Sequence, residues 1–390
     1  QHGAGDGLQH ILIPGEDGRG GSLVNDGLQH RHLVAAPLHV ALSEGGALTG
    51  EGQSLPAVEV IDPLGEGEGL VVIAAVAVFV GHLHGDGGEV HRGGDIDAAQ
   101  GVHDTLLHYH QLFDIYNDYA GCNNLKTVND QAGVAPVEVD GDIIRLLLEC
   151  REFYDATGGK VNVAMGGVLA LWHDARTAGL DDPANARLPD RAALENAAAH
   201  MDFDAVIIDE DASTVFISDP ETRLDVGAVA KGWSAQRAAE NAPEGLLISV
   251  GGNLRAIGTK PDGSQWSGGV ENPWNASDVY TASSSYVSGV NMSDMALVTS
   301  GNYQRYYVVD GVRYHHLIDP DTLWPARYVD SVSVLSPDSG AADCLTTGLF
   351  CMSLEDGQKL IESLDGVEAL WCTPDGEVIQ SSGWAGHEKK

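Results

Sequence analysis

The sequence predicts an α+β fold with mostly antiparallel sheets and packed helices. Three observations support this class. Apolar residues recur at helical spacing in several stretches, short runs of strand-forming residues flank polar turns, and Asp310-Gly311 is a strong hairpin signal. The chain has 390 residues, which is enough for one large domain or two ordinary ones with ample core.

The predicted elements follow one another from residue 104 onward. Helices are predicted from periodicity, and strands from short apolar runs bounded by turn residues. In chain order, we expect helices near 106–116 and 143–154, an unassigned apolar stretch at 161–172, a helix at 189–199, strands at 205–208 and 214–217, a helix at 233–240, a strand at 246–250, an antiparallel meander at 296–300, 303–309 and 312–318, a strand at 331–335, helices at 341–352 and 354–363, and two short closing strands.

Residues 1–103 differ in composition from the rest of the chain. They contain no Lys, Trp, Tyr, Cys or Met, and their single Phe is Phe79. With so few aromatic residues and so many glycines, this Gly/His-rich segment has little to bury against its chain entropy. We therefore predict that 1–103 is poorly ordered or non-native, that 104–385 forms the globular domain, and that 386–390 is a tail.

The charge balance is strongly acidic. The chain has 57 acidic against 21 basic residues, a formal net charge of −36, which argues against nucleic acid or anionic lipid as a partner of the whole protein. A phosphate-rich ligand would need a local cation, and this favours a bound metal ion. The alternative is an acid-surfaced protein from a salty or extracytoplasmic setting.

Cysteine usage and apolar runs bear on the compartment. The five cysteines are widely spread without zinc-binding spacing, so we predict mostly buried thiols. The longest apolar run, 70–80, is shorter than the ~20 residues of a membrane helix.

The start lacks the pattern of a signal peptide, so we expect that a leader was removed or that the true start is missing. His82, His84 and His91 suggest a metal-sequestering protein as an alternative, but no carboxylate or Cys partner stands at a diagnostic spacing.

The stretch 225–232, Asp-Val-Gly-Ala-Val-Ala-Lys-Gly, lies between a predicted hairpin and a predicted helix. Such a junction presents free backbone N–H groups and the positive end of the helix dipole, which suit phosphate. Its glycines let a ligand approach the main chain closely. Alternatively, Gly227 and Gly232 only serve a tight turn.

Two further clusters offer ligand chemistry. Asp343 and Thr347 are four residues apart in a predicted helix and share a face, and their hard oxygen atoms suit Mg²⁺. The alternative is that the charge of Asp343 compensates the dipole of its own helix, while the Thr347 hydroxyl forms a hydrogen bond to a backbone carbonyl of that helix. His315 and His316 lie on a predicted strand, so at most one of them faces a given pocket; such a histidine could accept a proton from a hydroxyl. Arg305 could bind phosphate or form a surface salt bridge.

Five ordered motifs together resemble the ApbE family of FAD:protein FMN transferases. The resemblance spans roughly 104–385 and implies a T-fold-like flavin transferase domain. The motifs are Asp225-Val-Gly-Ala-Val-Ala-Lys-Gly, Ser249-Val-Gly-Gly-Asn, Ser300-Gly-Asn-Tyr-Gln-Arg, Tyr314-His-His-Leu-Ile-Asp-Pro and Ala342-Asp-Cys-Leu-Thr-Thr.

The resemblance implies an activity and a set of residues. The enzyme would be Mg²⁺-dependent, split FAD at its pyrophosphate, move FMN onto a Thr or Ser hydroxyl of an acceptor protein and release AMP. The implied catalytic residues are His316, as a base or an orienter of the hydroxyl, and Asp225. The implied FAD contacts are Asp225, Lys231, Asn162, Arg305, His316 and Ile318. The implied metal ligands are the carbonyl of Ala228 with Asp343 and Thr347.

Partners and location follow from the same resemblance. The acceptor would be a flavoprotein of the redox-complex subunit type with an Asp-x-x-Ser/Thr-Gly-Ala-Thr-like motif. Family members usually act outside the cytoplasm, tethered to the membrane by a lipidated cysteine. Two rival activities stay open: a Mg²⁺-dependent FAD pyrophosphatase that yields FMN and AMP, and a non-catalytic FAD-binding protein.

The sequence also departs from the family pattern at three places. After Gly158-Gly159 an aromatic residue and Asp usually follow, whereas this chain has Lys160-Val161-Asn162. After Asp319-Pro320 a basic residue is usual, whereas this chain has Asp321. The family's opening strand, expected before Leu106, is not recognisable in the sequence.

Overall fold

A computed structural model of the chain describes residues 10–11, 39–43, 57–61, 76–80, 90–274 and 285–389, with side chains from residue 97 onward in these ranges. The α-helices in these ranges are α1 (Val90–Phe113), α2 (Leu125–Asp130), α3 (Gly141–Ala156), α4 (Gly166–Asp181), α5 (Arg191–Ala198), α6 (Ala230–Glu240), α7 (Ser339–Phe350) and α8 (Leu354–Glu362).

The strands are short and numerous. They are β1 (His10–Ile11), β2 (His39–Ser43), β3 (Ala57–Ile61), β4 (Val76–Val80), β5 (Val137–Glu138), β6 (Val206–Asp209), β7 (Thr214–Ile217), β8 (Leu246–Val250), β9 (Asn253–Ile257), β10 (Trp266–Glu271), β11 (Tyr286–Met292), β12 (Ala296–Gly301), β13 (Tyr306–Val309), β14 (Val312–His315), β15 (Ser331–Ser336), β16 (Glu368–Cys372) and β17 (Val378–Gln380).

One large sheet organises the described part of the chain. Its strand order is β1-β2-β3-β4-β8-β9-β12-β15-β16-β17, and every neighbouring pair is antiparallel. Three smaller antiparallel sheets, β5-β7-β6, β10-β11 and β13-β14, lie outside it. Helices interleaved with antiparallel strands confirm the predicted α+β class.

Local predictions agree well with the elements, but one long-range prediction is wrong. The meander predicted over 296–318 does not form. Instead, β12 pairs with β9 and β15 in the large sheet, while β13 and β14 pair only with each other around Asp310-Gly311. The turn signal fixes a hairpin, but it holds no information about which distant strand lies beside β12.

The segment before residue 104 holds more regular structure than predicted. Its longest apolar run contains β4, which pairs with β8 from Val76↔Val250 to Val80↔Leu246, so a strand does precede the first helix. α1 begins at Val90 rather than near 106. His82 and His84 lie outside the described residues, as does the side chain of His91. The prediction that 1–103 is poorly ordered or non-native stays a prediction.

Helices α6 and α7 cross closely and position the site. α7 is apolar and almost wholly buried, and it packs on β12, on β15 and on α6. α6 presents small buried residues to its neighbours, which permits close approach. On its other side, the Trp233 ring meets the Tyr109 ring edge-on at 5.1 Å and the Phe113 ring at 5.5 Å, which fixes α6 against α1.

The β13-β14 hairpin has a separate small core. Tyr307 and Val309 turn inward and pack with Trp172 of α4 and with Ile318, which follows β14. The Trp172 indole donates a hydrogen bond to the Leu323 carbonyl at 2.9 Å. This packing joins α4 to the segment that holds His316. Among the described helices, none is both long and apolar enough to cross a membrane.

Candidate active site

The Asp225 loop is held by backbone contacts at the start of α6. The Asp225 amide donates to the Val163 carbonyl at 2.8 Å, and its Oδ1 accepts from the Gly227 amide at 2.8 Å. Burial raises the pKa of Asp225, against the opposing effects of the Gly227 hydrogen bond and His173. The stretch lies between the β6-β7 hairpin and α6, as predicted, but β7 already ends at Ile217 and α6 begins at Ala230, so Asp225 stands in a loop that leads into the helix.

The first turn of α6 has no side-chain cap of its own. Instead, the Gly232 amide donates to Asp343 Oδ2 at 2.8 Å, although the two residues lie 111 positions apart. The N-terminus of α7 is capped separately, because Asp338 accepts from the Ala341 amide at 2.8 Å. The negative charge of Asp343 therefore compensates the dipole of α6. The alternative considered from the sequence, that Asp343 compensates the dipole of its own helix, is wrong.

Gly232 allows this contact because it has no side chain. A Cβ at this position would lie 2.5 Å from the Cβ of Asp343 and still closer to the Ser339 carbonyl oxygen. Glycine inside a helix costs about 1 kcal/mol relative to alanine. A helical glycine therefore indicates a close approach. This signal was available in the sequence, where Gly232 was interpreted as allowing the approach of a ligand or as serving a tight turn, and not as a contact between two helices.

Thr347 faces the Asp225 loop. Its hydroxyl donates to the Ala228 carbonyl at 3.4 Å rather than to its own helix. The neighbouring Thr346 makes the local bond instead, to the Asp343 carbonyl at 2.9 Å. The structure thus brings together the three predicted metal ligands, Ala228, Asp343 and Thr347, from segments more than a hundred residues apart. We call these three residues with Gly232 the oxygen cluster.

The donor set of the oxygen cluster fits Mg²⁺. It offers a carbonyl, a hydroxyl and a carboxylate, all hard oxygen ligands. The 3.4 Å between Thr347 Oγ1 and the Ala228 oxygen is close to the ~3 Å between neighbouring ligands of an octahedral ion with bonds of about 2.1 Å. Asp343 is buried, and its Oδ1 makes no hydrogen bond to any residue in the described ranges.

Lys231 lies beside the metal ligands. Its Nζ is 3.5 Å from Asp343 Oδ2, and its aliphatic chain passes close to Gly251. The ammonium group therefore compensates part of the buried carboxylate charge. This places the predicted FAD contact next to the predicted metal ligands.

His316 lies at the open end of the β13-β14 hairpin, opposite Arg305. Its amide donates to the Arg305 carbonyl at 3.2 Å, and its Nδ1 is 3.3 Å from the same oxygen. Burial, with the nearby charges of Arg305, Arg176 and Lys231, lowers the pKa of His316 to about 3. The ring is therefore neutral at pH 7, and its Nδ1–H donates to Arg305 in the tautomer that leaves Nε2 as an acceptor.

His315 points the other way, as expected for neighbouring residues on a strand. It is buried, its Nε2 donates to the Ala326 carbonyl at 2.8 Å, and its ring meets Phe350 edge-on at 5.5 Å. Burial lowers the pKa of His315 to about 4. Only His316 of the pair is therefore available to a ligand.

The remaining predicted FAD contacts, Arg305, Ile318 and Asn162, differ in how far their side chains are free to contact a ligand. Arg305 is exposed and forms no ion pair with an acidic side chain of the described residues. Ile318 is buried in the hairpin core. Both polar atoms of the Asn162 side chain bond to the backbone, Nδ2 to the Met201 carbonyl and Oδ1 to the Ala164 amide, each at 2.9 Å. Contacts of Ile318 and Asn162 with FAD stay predictions.

Two of the three departures from the family pattern meet in space. Lys160 Nζ lies 2.7 Å from Asp319 Oδ1 and 2.9 Å from Asp321 Oδ2. Burial opposes its charge, but the hydrogen bonds to both carboxylates raise the pKa of Lys160 overall. We call these three residues the Lys160 clamp. A cavity of about 310 Å³ lies beside it, lined by Asn162 and Asp321 among others but not by the oxygen cluster.

Sequence reasoning missed residues on α4 and the loop after α1. The Tyr116 ring is 6.1 Å from that of His173. Burial and the carboxylate of Asp225 raise the pKa of Tyr116 to about 12. The positive charge of Arg176 acts to lower the pKa of both Tyr116 and His316. No local motif marks these residues, because each comes from a different element.

A second group of metal-type side chains lies elsewhere. Ligand atoms of His108, Asp140 and Asp142 are all within 4.8 Å of one another. Asp140 is, however, the N-cap of α3 and accepts from the Asp142 amide at 2.9 Å, so helix capping accounts for its position. The predicted metal ligands do not belong to this group.

The fold and the site define an α+β protein with an oxygen-ligand site at a helix N-terminus. The ApbE family model matches residues 81–371. The chain belongs to the ApbE family, as the sequence motifs predicted. The match begins before the predicted domain start at 104 and ends before 385, and those predicted bounds stay predictions.

Named relatives agree with this assignment. An FAD:protein FMN transferase of Treponema pallidum is 36% identical over 271 residues, which cover 66% of this chain and 73% of the relative. One of Klebsiella pneumoniae is 29% identical over 281 residues, covering 70% and 83%. A crystal structure of an ApbE protein of Thermotoga maritima superposes with a TM-score of 0.67 at 27% identity, covering 81% of this chain and 96% of the other.

Proposed function

We propose that this protein transfers FMN from FAD to a Thr or Ser hydroxyl of an acceptor protein and releases AMP. The observation that supports this most is the oxygen cluster, which joins two helices at the N-terminus of α6. A buried carboxylate, a hydroxyl and a carbonyl converge there, beside the cation of Lys231. In a chain with a net charge of −36, this is a place where a diphosphate can be held.

Ala228, Asp343 and Thr347 would hold Mg²⁺. The ion would supply Lewis-acid neutralisation of the diphosphate charge. The chain itself supplies the Lys231 ammonium and the N-terminus of α6 to the same phosphates. Arg305, which forms no ion pair in the described ranges, adds a further cation on the His316 side.

The acceptor hydroxyl must lose a proton as its oxygen bonds to the phosphorus of FMN and the bond from that phosphorus to the oxygen of AMP breaks. The best general base has a pKa near the operating pH. The pKa of His316, about 3, makes it a weak base, whereas burial raises the pKa of Asp225 towards that range. We therefore assign proton acceptance to Asp225, while neutral His316 orients the hydroxyl through Nε2.

The acceptor and the location are also proposals. We propose an acceptor flavoprotein of the redox-complex subunit type with the Ser/Thr-Gly-Ala-Thr-like motif, and a membrane-associated site of action outside the cytoplasm. The family resemblance supports both. Mass spectrometry of flavinylated proteins from the native cell would identify the acceptor and its motif. Cell fractionation would test the location, and recovery with cytoplasmic markers alone would contradict it.

The function is tested with Asp343→Asn, because Asn keeps a hydrogen-bond acceptor for the Gly232 amide but removes the charge. Wild type is incubated with FAD, Mg²⁺ and a candidate acceptor, and mass spectrometry detects the added FMN. We expect Asp343→Asn to lose at least about 100-fold in transfer rate, with its unfolding midpoint nearly unchanged. Retained transfer would contradict the assignment of the site.

The same assay separates the rival activities. Chromatography measures AMP with and without acceptor protein. Equal AMP release without acceptor indicates an FAD pyrophosphatase, whereas tight FAD binding without AMP indicates a binding protein. Omission of Mg²⁺ in the presence of a chelator should abolish AMP release, and full activity there would remove the metal from the proposal.

A further inference from the structure

Three segments meet at the side chain of Asp330, which lies directly before β15. Its Oδ1 accepts a hydrogen bond from Asn302 Nδ2 at 2.6 Å, and its Oδ2 accepts one from the Trp274 indole at 2.9 Å. Asn302 follows β12, and Trp274 follows β10. Asp330 forms no ion pair with a basic side chain of the described residues, so two neutral donors share its charge. Hydrogen bonds to an ionised acceptor are stronger than those between neutral groups.

Asp330 and Asn302 stand where the chain leaves the large sheet and returns to it. β12 and β15 pair along their full length, and the Asn302 amide donates to the Asp330 carbonyl at 3.0 Å as one further rung. The residues between them, 303–329, include the β13-β14 hairpin and His316. Among the described strands, this hairpin pairs with no strand of the large sheet. We call the contact of the Asp330 side chain with Asn302 the neck.

The strands on either side of the neck also hold part of the oxygen cluster. α7, which carries Asp343 and Thr347, packs on β12 and β15. The Ser300 hydroxyl of β12 donates to the Thr346 hydroxyl of α7 at 3.0 Å. The neck therefore joins the segment with His316 to the same strands that hold two of the proposed metal ligands.

The neck lies close in sequence to the hydrogen bond that orients His316. The Arg305 carbonyl accepts from the His316 amide and is the partner of its Nδ1. Arg305 precedes β13 and lies outside the hairpin ladder. The position of its carbonyl thus depends on the segment 302–305, and the Asp330 side chain holds the first residue of that segment.

We propose that Asp330 is a positioning residue for His316. Through Asn302 it holds the Arg305 carbonyl in place, and this carbonyl keeps the proton of the neutral imidazole on Nδ1. The inference rests on the proposed function for the role of His316. With the proton on Nδ1, Nε2 accepts a hydrogen bond from the acceptor hydroxyl; with the proton on Nε2, it cannot. The competing explanation is that the hairpin alone fixes Arg305, and that Asp330 only stabilises the ends of β12 and β15.

The test exchanges the two partners of the neck. Asn302→Asp alone places two carboxylates at hydrogen-bond distance and should break the neck. In Asn302→Asp/Asp330→Asn, the new amide donates to the new carboxylate and its oxygen still accepts from Trp274, so the neck should form again. Asn302→Ala removes the bond without adding a charge. Asn196→Asp on α5, whose side chain is exposed, is the control for the added charge.

The first measurement is the tautomer of His316. NMR with ¹⁵N-labelled histidine shows which ring nitrogen carries the proton, and His316→Gln identifies the signals. Wild type and Asn196→Asp should have the proton on Nδ1, both single variants at Asn302 should shift it towards Nε2, and the double variant should restore it. His315 is the internal reference, because its Nε2 donates to the Ala326 carbonyl and should keep its proton in every variant.

The second measurement is the transfer assay. We expect kcat to fall at least about tenfold in Asn302→Asp and by a smaller factor in Asn302→Ala, while the KM for FAD stays the same. The double variant should regain most of the wild-type kcat, and Asn196→Asp should keep it.

Several results would overturn the proposal. These are a His316 proton on Nε2 in wild type, an Nδ1 proton that stays in both single variants at Asn302, a loss that the double variant does not restore, and a loss that appears only in the KM for FAD. If Asn302→Asp does not fold, Asn302→Ala decides by the same criteria. Because the NMR measurement needs neither FAD nor acceptor, it decides the role of Asp330 even if wild type transfers no FMN.

Discussion

The oxygen cluster and the Lys160 clamp are two ways of holding loops around one site. In the oxygen cluster, single hydrogen bonds between backbone and side-chain atoms join α7 to α6 and to the Asp225 loop. In the Lys160 clamp, one cation bridges two carboxylates and joins the turn after α3 to the segment that follows His316. The first depends on close backbone approach, and the second depends on charge.

The difference concerns which parts of the site can change in sequence. The oxygen cluster has the residues that the motif resemblance predicts, and at Gly232 a Cβ would clash with the Ser339 carbonyl oxygen and with Asp343. In the Lys160 clamp, Lys160 and Asp321 both depart from the pattern that the resemblance predicts. Their opposite charges compensate each other, because Lys160 Nζ lies 2.9 Å from Asp321 Oδ2. A buried carboxylate needs a cation, but that cation can come from either side of the contact.

The largest expected effect is on the clamp. Lys160→Met leaves the Asp319 carboxylate, which is 1% exposed, without its cation, and should lower the free energy of unfolding by about 3 kcal/mol. Urea denaturation measures this change. Asp321→Asn is the control, because Asp321 is largely exposed and its loss should cost less than about 1 kcal/mol. Lys160→Met/Asp319→Asn should recover part of the loss. A single variant no worse than the control would contradict the clamp.

The next expected effect is on the oxygen cluster. Gly232→Ala should lower the free energy of unfolding by about 2 kcal/mol, since its Cβ meets Asp343 and the Ser339 carbonyl, and it should displace Asp343 and abolish transfer. Gly167→Ala in α4 is the matched control, because its Cβ would lie 3.7 Å from that of Ala197, an ordinary contact. The control should be neutral or slightly stabilising. Equal behaviour of the two variants would mean that the helices are not in close contact at Gly232.

The two regions also show how far the sequence leads. β8 was predicted at its observed bounds and α3 within two residues at each end, because apolar periodicity and turn residues are local signals. Asp343 and Thr347 were candidate metal ligands from their spacing and their oxygen atoms, and Ala228 was added by the motif resemblance. The partners of β12 and the contact of Gly232 with Asp343 depend on residues far apart in the chain, which no local pattern encodes. Lys160 and Asp321 were each recognised as departures, but only the fold shows that they face each other.

A smaller effect is expected from the hydroxyl of the oxygen cluster. Thr347→Val keeps the shape of the side chain but removes one proposed ligand and the bond to Ala228. Mg²⁺ affinity, measured by calorimetry, should fall about tenfold, while the free energy of unfolding changes by no more than about 1 kcal/mol. Thr347→Ser keeps the hydroxyl and should restore most of the affinity. Unchanged Mg²⁺ binding in Thr347→Val would place the ion elsewhere.

The smallest effect is on the loop that precedes Asp225. His200 Nδ1 lies 2.7 Å from Asp219 Oδ2, and its Nε2 lies 3.4 Å from Glu221. The hydrogen bond to Asp219 raises the pKa of His200, and hydrogen bonds from the Glu221 amide and from His200 lower the pKa of Asp219. The stability contributed by His200 is therefore full below its unfolded pKa of about 6.5 and is lost as pH rises through its raised folded value. The contribution of Asp219 is present above about pH 4 and is lost as pH falls through its lowered value.

The pair should thus stabilise the protein most between about pH 4 and 6.5. Thermal unfolding of wild type and His200→Gln, measured from pH 5 to 9, should show a difference in Tm that shrinks as pH rises. Because the pair is open to solvent, the difference should also shrink with added salt, unlike the effect of Lys160→Met at the buried Asp319 carboxylate. A Tm difference that grows with pH would contradict the pairing of a charged His200 with Asp219.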